Sequence, residues 1–227
     1  MTEFGLQLLS LFSIGLLGSG HCLVMCGGMA AALQLGMTDQ SPSQRTALQL
    51  WLSLGRLTTY SLLGALVASF GALLLASLGL ALFWLKLLSG LLLLAMALYL
   101  TRLWFGLNQL ERAGAVLWRQ IQPVAKKLLP LNSRRKALGY GLCWGFLPCG
   151  LVYSALGWSL ASGHVWQGGT MMFAFGMGTL PAILLSGSAA AALIRLKSQL
   201  WVRVLTGLLL GIYAIYLIWL ALAPRIF

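Results

Sequence analysis

The pattern of hydrophobic positions divides the chain into six long apolar stretches separated by short polar segments. A helix needs about 20 apolar residues to cross the hydrocarbon of a bilayer, and each stretch reaches that length. We place the spans at 5–36, 48–76, 80–103, 137–161, 168–193 and 200–222. The second and third spans are separated by a turn at Ser77-Leu78-Gly79. The pattern predicts an all-α integral membrane protein with about six transmembrane helices.

Composition and charge support this class and set an orientation. The chain is 60% hydrophobic and only 8% charged, unlike a soluble domain. Loops on one side hold most of the basic residues, whereas those near Ser77 and His164 hold no lysine or arginine. The positive-inside rule therefore predicts cytoplasmic basic loops and both termini outside. This asymmetry explains the net charge of +12 without a nucleic-acid partner.

The basic segment between the third and fourth spans has a helical period of its own. Apolar residues recur at steps of three or four between basic ones, at Leu107, Leu110, Gly114, Leu117, Ile121, Val124 and Leu128. This pattern predicts an amphipathic helix on the anionic inner leaflet, bent or broken at Pro123. A docking surface for an acidic soluble protein is the alternative.

Two cysteine motifs lie within the spans. The first runs from Gly20 to Gly28 as GHCLVMCGG, and the second from Cys143 to Gly150 as CWGFLPCG. Aligning Cys26 with Cys149 superposes spans one to three on spans four to six. Three is an odd number, so the second half must be inverted, and such repeats place their site at the repeat interface. We divide the chain into a first repeat (1–104), a basic cytoplasmic segment (105–136) and a second repeat (137–227).

Glycine and proline beside these cysteines predict that helices one and four are broken there. Gly27 and Gly28 can interrupt the first span, and Pro148 suits the first turn of a helix. Cys149 would then lie at a helix N-terminus, where partial positive charge favours the nucleophilic thiolate. Cys26 and Cys149 could face one another as a thiol–disulfide couple. The alternative is that both are small packing residues.

The first motif also holds a set of soft metal ligands. His21, Cys22, Met25 and Cys26 offer the nitrogen and sulfur atoms that select Cu(I). A histidine inside a span is rare enough to suggest a function. Cu(I) is therefore the one cofactor that the sequence suggests, and Cys143 has no assigned role.

Further positions in the spans are expected to support the site. Gly150 follows the second cysteine motif, Gly176 and Gly178 would let helices pack closely, and Pro181 permits a kink or unwinding in the fifth span. Arg56, inside the second span, is expected to snorkel to the headgroups. Its alternative role is to line a cytoplasmic vestibule.

Four runs in order resemble one membrane family. They are Gly-x-Gly-His-Cys-x-x-Met-Cys-Gly-Gly, Gly-Arg-x-x-x-Tyr, Phe-Leu-Pro-Cys-Gly and Phe-Gly-x-Gly-Thr-x-Pro. The chain resembles the cytochrome c biogenesis transmembrane family of CcdA and the DsbD membrane domain. It is most similar to the UreH-like branch, whose members are often named sulfite exporter TauE/SafE family proteins. The resemblance implies that Cys26 and Cys149 carry electrons across the inner membrane of a bacterium.

The resemblance also implies partners and leaves alternatives open. The preferred interpretation is a transmembrane thiol–disulfide oxidoreductase for cytochrome or haem–copper oxidase biogenesis. It would take electrons from a cytoplasmic thioredoxin-like reductant and pass them to an extracytoplasmic thiol protein. His21, Cys22 and Met25, and the lack of a proline before Cys26, depart from the CcdA pattern and favour the alternative of a Cu(I) transporter or delivery protein. Export of sulfite or organosulfur compounds is a third, less supported alternative.

Overall fold

The described part of the protein is entirely helical. The computed structural model describes residues 3–19, 33, 41–78, 81–101, 103, 107–147, 149–188 and 200–222. Within these residues it contains the helices α1 (Glu3–Leu17), α2 (Pro42–Leu78), α3 (Ala81–Leu100), α4 (Leu107–Lys127), α5 (Arg134–Trp144), α6 (Gly150–Ser162), α7 (Val165–Ser188) and α8 (Leu200–Leu222). The predicted all-α class is confirmed.

Helix α2 begins earlier than the hydrophobic pattern predicts. The apolar stretch starts at Leu48, but the helix starts at Pro42. Ser41 and Gln44 form a capping box, in which each backbone N–H donates to the other residue's side-chain oxygen at 3.4 Å. Proline is well suited to the first helical position because its missing N–H has no partner there. The capping signal Ser-Pro-x-Gln therefore marks the true start of this helix.

The predicted amphipathic helix exists, but the predicted break in it is wrong. Helix α4 continues through Pro123 to Lys127. Near its end Ala125 is buried in a second hydrophobic cluster, against which Leu128 packs. This cluster also holds Leu131 and the buried residues Ala137 and Tyr140 of α5. Packing of its apolar face on α5 explains why the helix persists beyond the proline.

Large apolar side chains form outward faces on two helices. They are Leu62, Leu66, Phe70 and Leu73 on α2, and Leu205, Leu208, Ile212, Ile215 and Trp219 on α8. Within each helix they recur at steps of three or four, so they share a face. Soluble monomers rarely expose continuous apolar patches of this kind. The two faces suit contact with lipid.

The number of membrane spans stays a prediction. Within the described residues, the Ser43–Leu73 segment alone is both long and apolar enough to cross a membrane, and the apolar segments Phe4–Leu17, Gly90–Tyr99 and Gly207–Tyr216 are shorter. The predicted fourth span is divided into helices of 11 and 13 residues. Neither of these reaches the length of about 20 residues that a single crossing helix requires.

Helix α2 is central to the packing. It contacts α5, α6 and α7, while α1 packs on α7 and α3 packs on α6 and α8. Its buried residues include four polar ones, Gln49, Ser53, Arg56 and Thr59. Gln49 donates from Nε2 to the carbonyl oxygen of Ile183 at 2.6 Å, which joins α2 to α7. Polar residues thus face the bundle interior, as they do in membrane proteins.

Candidate functional site

The second cysteine motif forms a break between two helices, as the sequence predicts for span four. Helix α5 ends at Trp144 and α6 begins at Gly150. Phe146 donates its backbone N–H to the carbonyl of Cys143, and Leu147 donates to that of Trp144. These bonds tighten the last turn of α5 before the chain leaves the helix.

Cys149 is the N-cap residue of α6. Its backbone is extended, with φ −139° and ψ 146°, and its carbonyl accepts the N–H groups of Val152 and Tyr153. The helix therefore starts after Cys149, at Gly150, two residues later than a helix with Pro148 as its first residue would. Its thiol lies at the positive end of the α6 dipole, where negative charge on sulfur is favoured.

The surroundings of Cys149 are mostly apolar. It is half-buried and packs against the main hydrophobic cluster, which includes Leu11, Leu151, Phe175 and Tyr60. The cluster draws residues from six helices: α1, α2, α3, α6, α7 and α8. The site is thus a helix N-terminus enclosed by apolar side chains inside the bundle.

The described residues on either side of the first cysteine motif flank this break. Before the motif, Gly18 lies so close to Leu151 that an added Cβ would overlap its methyl groups. After the motif, Leu33 packs against the second hydrophobic cluster, together with Cys143 and Leu147. Gly18 thus lies beside the start of α6, and Leu33 contacts the cluster to which Trp144, the last residue of α5, belongs.

All residues of the first motif, Gly20 to Gly28, lie outside the described residues. The predicted site residues among them are His21, Cys22, Met25, Cys26, Gly27 and Gly28, and Pro148 of the second motif also lies outside. The predicted couple of Cys26 with Cys149, the Cu(I) ligand set and the break in span one therefore stay predictions. Among the described residues no group of three or more histidine, cysteine or acidic side chains is arranged to hold a metal ion.

The supporting residues divide into close-packing and helix-shaping positions. Gly176 faces Leu57 and Tyr60 of α2, and Gly178 faces the backbone of α1. Gly150 is buried as the first residue of α6. Pro181 lies within α7, which continues through it without unwinding. The glycines therefore allow close helix contacts, and of the kink or unwinding predicted at Pro181 the kink stays a prediction.

Arg56 is the residue that sequence reasoning placed wrongly. Its side chain is 4% exposed, so it does not snorkel to the headgroups. Nη2 donates to the hydroxyl of Tyr60 at 3.0 Å, and the guanidinium carbon lies 5.3 Å from the centre of that ring. The same carbon lies 5.5 Å from the centre of the Trp144 ring. The spacing of Arg56 and Tyr60 by one helical turn was the available signal.

Comparison with known proteins identifies one family. The family model described as the cytochrome c biogenesis protein transmembrane region matches residues 10–216. No curated protein and no solved structure gives a significant match. The match covers nearly the whole chain and confirms the resemblance carried by the sequence motifs.

Proposed function

The chain belongs to the family of cytochrome c biogenesis protein transmembrane regions, and from this premise we propose that it is a thiol–disulfide electron conduit of the bacterial inner membrane. Cys26 and Cys149 form its redox couple. A cytoplasmic thioredoxin-like protein is its reductant, and an extracytoplasmic thiol protein is its acceptor. Its physiological role is cytochrome or haem–copper oxidase biogenesis.

The reaction is two successive thiol–disulfide exchanges. A reductant thiolate attacks one sulfur of the Cys26–Cys149 disulfide, and the other sulfur leaves as a thiolate that takes up a proton. The second reductant thiol resolves the mixed disulfide, so the reductant is oxidised and the pair becomes a dithiol. The dithiol then reduces a disulfide of the outer protein and returns to its oxidised form. Two electrons and two protons are transferred in each cycle.

The observation that carries the proposal is the position of Gly18 and Leu33. Gly18, before the first motif, lies against Leu151 at the start of α6. Leu33, after the motif, packs against the cluster that includes Trp144 at the end of α5. This arrangement supports a meeting of Cys26 with Cys149.

A second argument concerns the proposed inverted repeats, 1–104 and 137–227, joined by the segment 105–136. Gly178 follows Gly55 by the same number of residues as Cys149 follows Cys26. Each glycine faces a carbonyl oxygen and the amide nitrogen four residues further on. For Gly55 these belong to Leu138 and Leu142 of α5, and for Gly178 to Phe12 and Leu16 of α1. Equivalent contacts between α2 and α5 and between α7 and α1 are what a two-fold relation between repeats requires.

The test is direct detection of the Cys26–Cys149 disulfide. A variant with Cys22→Ser and Cys143→Ser keeps only this pair. After mild oxidation in membranes, we expect it to resist labelling by a polyethylene glycol maleimide until a reductant is added. The matched control keeps Cys22 and Cys149 instead, with Cys26→Ser and Cys143→Ser, and should stay labelled.

Trapping then separates electron transfer from copper transport. In the Cys149→Ser protein, Cys26 should accumulate a mixed disulfide with a cytoplasmic dithiol protein in cells. The copper alternative would be favoured over the conduit by two results together. The protein would bind a stoichiometric amount of Cu(I) that His21→Ala abolishes, and neither Cys149→Ser nor Cys26→Ser would trap a mixed disulfide.

A further inference from the structure

Arg56 contacts one side of the break in the predicted fourth span. Its guanidinium lies over the ring of Trp144, the last residue of α5. It also donates to Tyr60 of its own helix, whose ring contacts Phe175 of α7 with ring centres 5.9 Å apart. Tyr60 and Phe175 belong to the main hydrophobic cluster, against which Cys149 also packs. One side chain thus contacts the end of α5 and an aromatic residue of the cluster on which Cys149 packs.

The burial of a permanent cation here is costly enough to indicate a role. Arg56 lies near the middle of the Ser43–Leu73 segment, the part of α2 that is able to cross a membrane. Charged side chains at that depth are expensive and typically functional. Contact with two aromatic rings offsets part of this cost, because the negative face of each ring attracts the guanidinium.

Neighbouring residues of α2 hold the same break. Thr59 donates to the carbonyl of Leu142 at 3.0 Å, and its side chain leaves no room for a Cβ on Gly145. Helix α2 therefore presents Arg56, Thr59 and Tyr60 to the break within little more than one turn. Of these three, Arg56 is the one whose side chain contacts both Trp144 and Tyr60.

We propose that Arg56 is a positioning residue, a clamp that holds the α5 end of the break against α2 and so keeps Cys149 half-buried at the N-terminus of α6. The importance of Cys149 rests on the proposed function. The clamp itself does not, because it acts on the exposure of Cys149 whether or not Cys26 reacts with it. Removal of the guanidinium frees Trp144 and lets the break open.

The test measures how fast a neutral, permeant maleimide alkylates Cys149 as the sole cysteine of the full-length protein in membranes. Arg56→Gln should raise this rate roughly tenfold, since it removes two cation–π contacts and a hydrogen bond. Arg56→Lys, which keeps a cation near the rings, should recover most of the protection. Trp144→Phe should retain protection and Trp144→Leu should lose it, which tests the clamp even if Arg56→Gln does not fold.

A second reporter distinguishes a local clamp from general stability. Ser159 is fully buried further along α6, so a Ser159→Cys protein without other cysteines reports wider opening of the bundle. We expect Arg56→Gln to leave the alkylation rate at this position unchanged. Equal acceleration at both positions, an unchanged rate at Cys149, or failure of Arg56→Lys to restore protection would each overturn the clamp. If the Cys26–Cys149 disulfide does not form but Arg56 protects Cys149 as expected, the proposed function alone would be overturned.

Discussion

Gly55 and Gly141 meet where α2 crosses α5, and each faces a backbone carbonyl of the other helix. Gly55 lies against the carbonyl oxygen of Leu138, and Gly141 lies against that of Leu52. Absence of a side chain at both positions lets the helix backbones touch, a frequent arrangement in membrane bundles. The end of α5, and with it the break before Cys149, is fixed to α2 by this contact.

Gly141→Ala should therefore destabilise the protein. The added methyl group meets backbone rather than a movable side chain, and overpacking of this kind costs about 1–3 kcal/mol. That loss exceeds the gain of up to about 1 kcal/mol that alanine brings to a helix interior. We expect the melting temperature of the detergent-solubilised protein to fall by several degrees, measured by size-exclusion chromatography after heating.

Gly139→Ala is the matched control on the same helix. The nearest heavy atom to its added Cβ would be Cδ1 of Leu128 at 3.3 Å, the flexible end of a side chain. The melting temperature should stay the same or rise. An equal fall in melting temperature for both variants would show that α5 tolerates alanine at neither glycine. It would contradict the importance of the Gly55–Gly141 contact.

Gly178→Ala should cause a similar loss at the contact between α7 and α1. A Cβ added at Gly178 would meet the carbonyl oxygen of Phe12, and one added at Gly15 of α1 would likewise meet the carbonyl oxygen of Phe175. The measurement is again the melting temperature in detergent, with Gly169→Ala as control. Gly169 has only ordinary contacts with Ser61 and Ala65, so its variant should be neutral. An unchanged melting temperature for Gly178→Ala would contradict a tight contact between α7 and α1 equivalent to that at Gly55.

The sequence predicts where helices and helix breaks lie better than it predicts which side chains contact one another. Long apolar stretches locate α3 and α8, and the Gly-x-x-Pro-Cys-Gly run locates the break after Trp144. Both features depend on the local sequence. Arg56 shows the limit. From hydropathy alone, an arginine in a span is expected to extend its charged group to the lipid headgroups. The ring of Trp144, over which Arg56 lies, belongs to a distant part of the chain, so the local sequence does not indicate this contact.

Close helix contacts have the same limit. Glycines in a span indicate that some helix approaches, but not which one. Gly55 meets α5 and Gly64 meets α7, although both belong to α2. Which face of α2 meets which helix depends on the packing of the whole bundle, and no local pattern records it.

Gln49→Leu should weaken the contact between α2 and α7. Its amide donates to the carbonyls of Ile183 and Leu184, on the part of α7 that follows Pro181. Interhelical hydrogen bonds in membrane proteins contribute about 0.6–2 kcal/mol, so we expect a measurable fall in the midpoint of denaturation by sodium dodecyl sulfate. Thr58→Val is the control, because Thr58 is exposed and donates only within its own helix, to Leu54. Equal midpoints for the two variants would contradict a stabilising role of the Gln49 amide.

The orientation in the membrane can be tested at two exposed positions, one beside the basic segment and one in the turn between α6 and α7. Lys126 is exposed and lies in the last turn of α4, beside Lys127. His164 follows Gly163, whose left-handed backbone with φ 64° ends α6 and turns the chain into α7. The positive-inside rule places the first position in the cytoplasm and the second outside. In a protein without other cysteines, His164→Cys should react with a membrane-impermeant maleimide in intact cells, whereas Lys126→Cys should react only after permeabilisation. Labelling of position 126 in intact cells, or protection of position 164, would show the opposite orientation. The proposed direction of electron transfer, which depends on the orientation, would then be wrong.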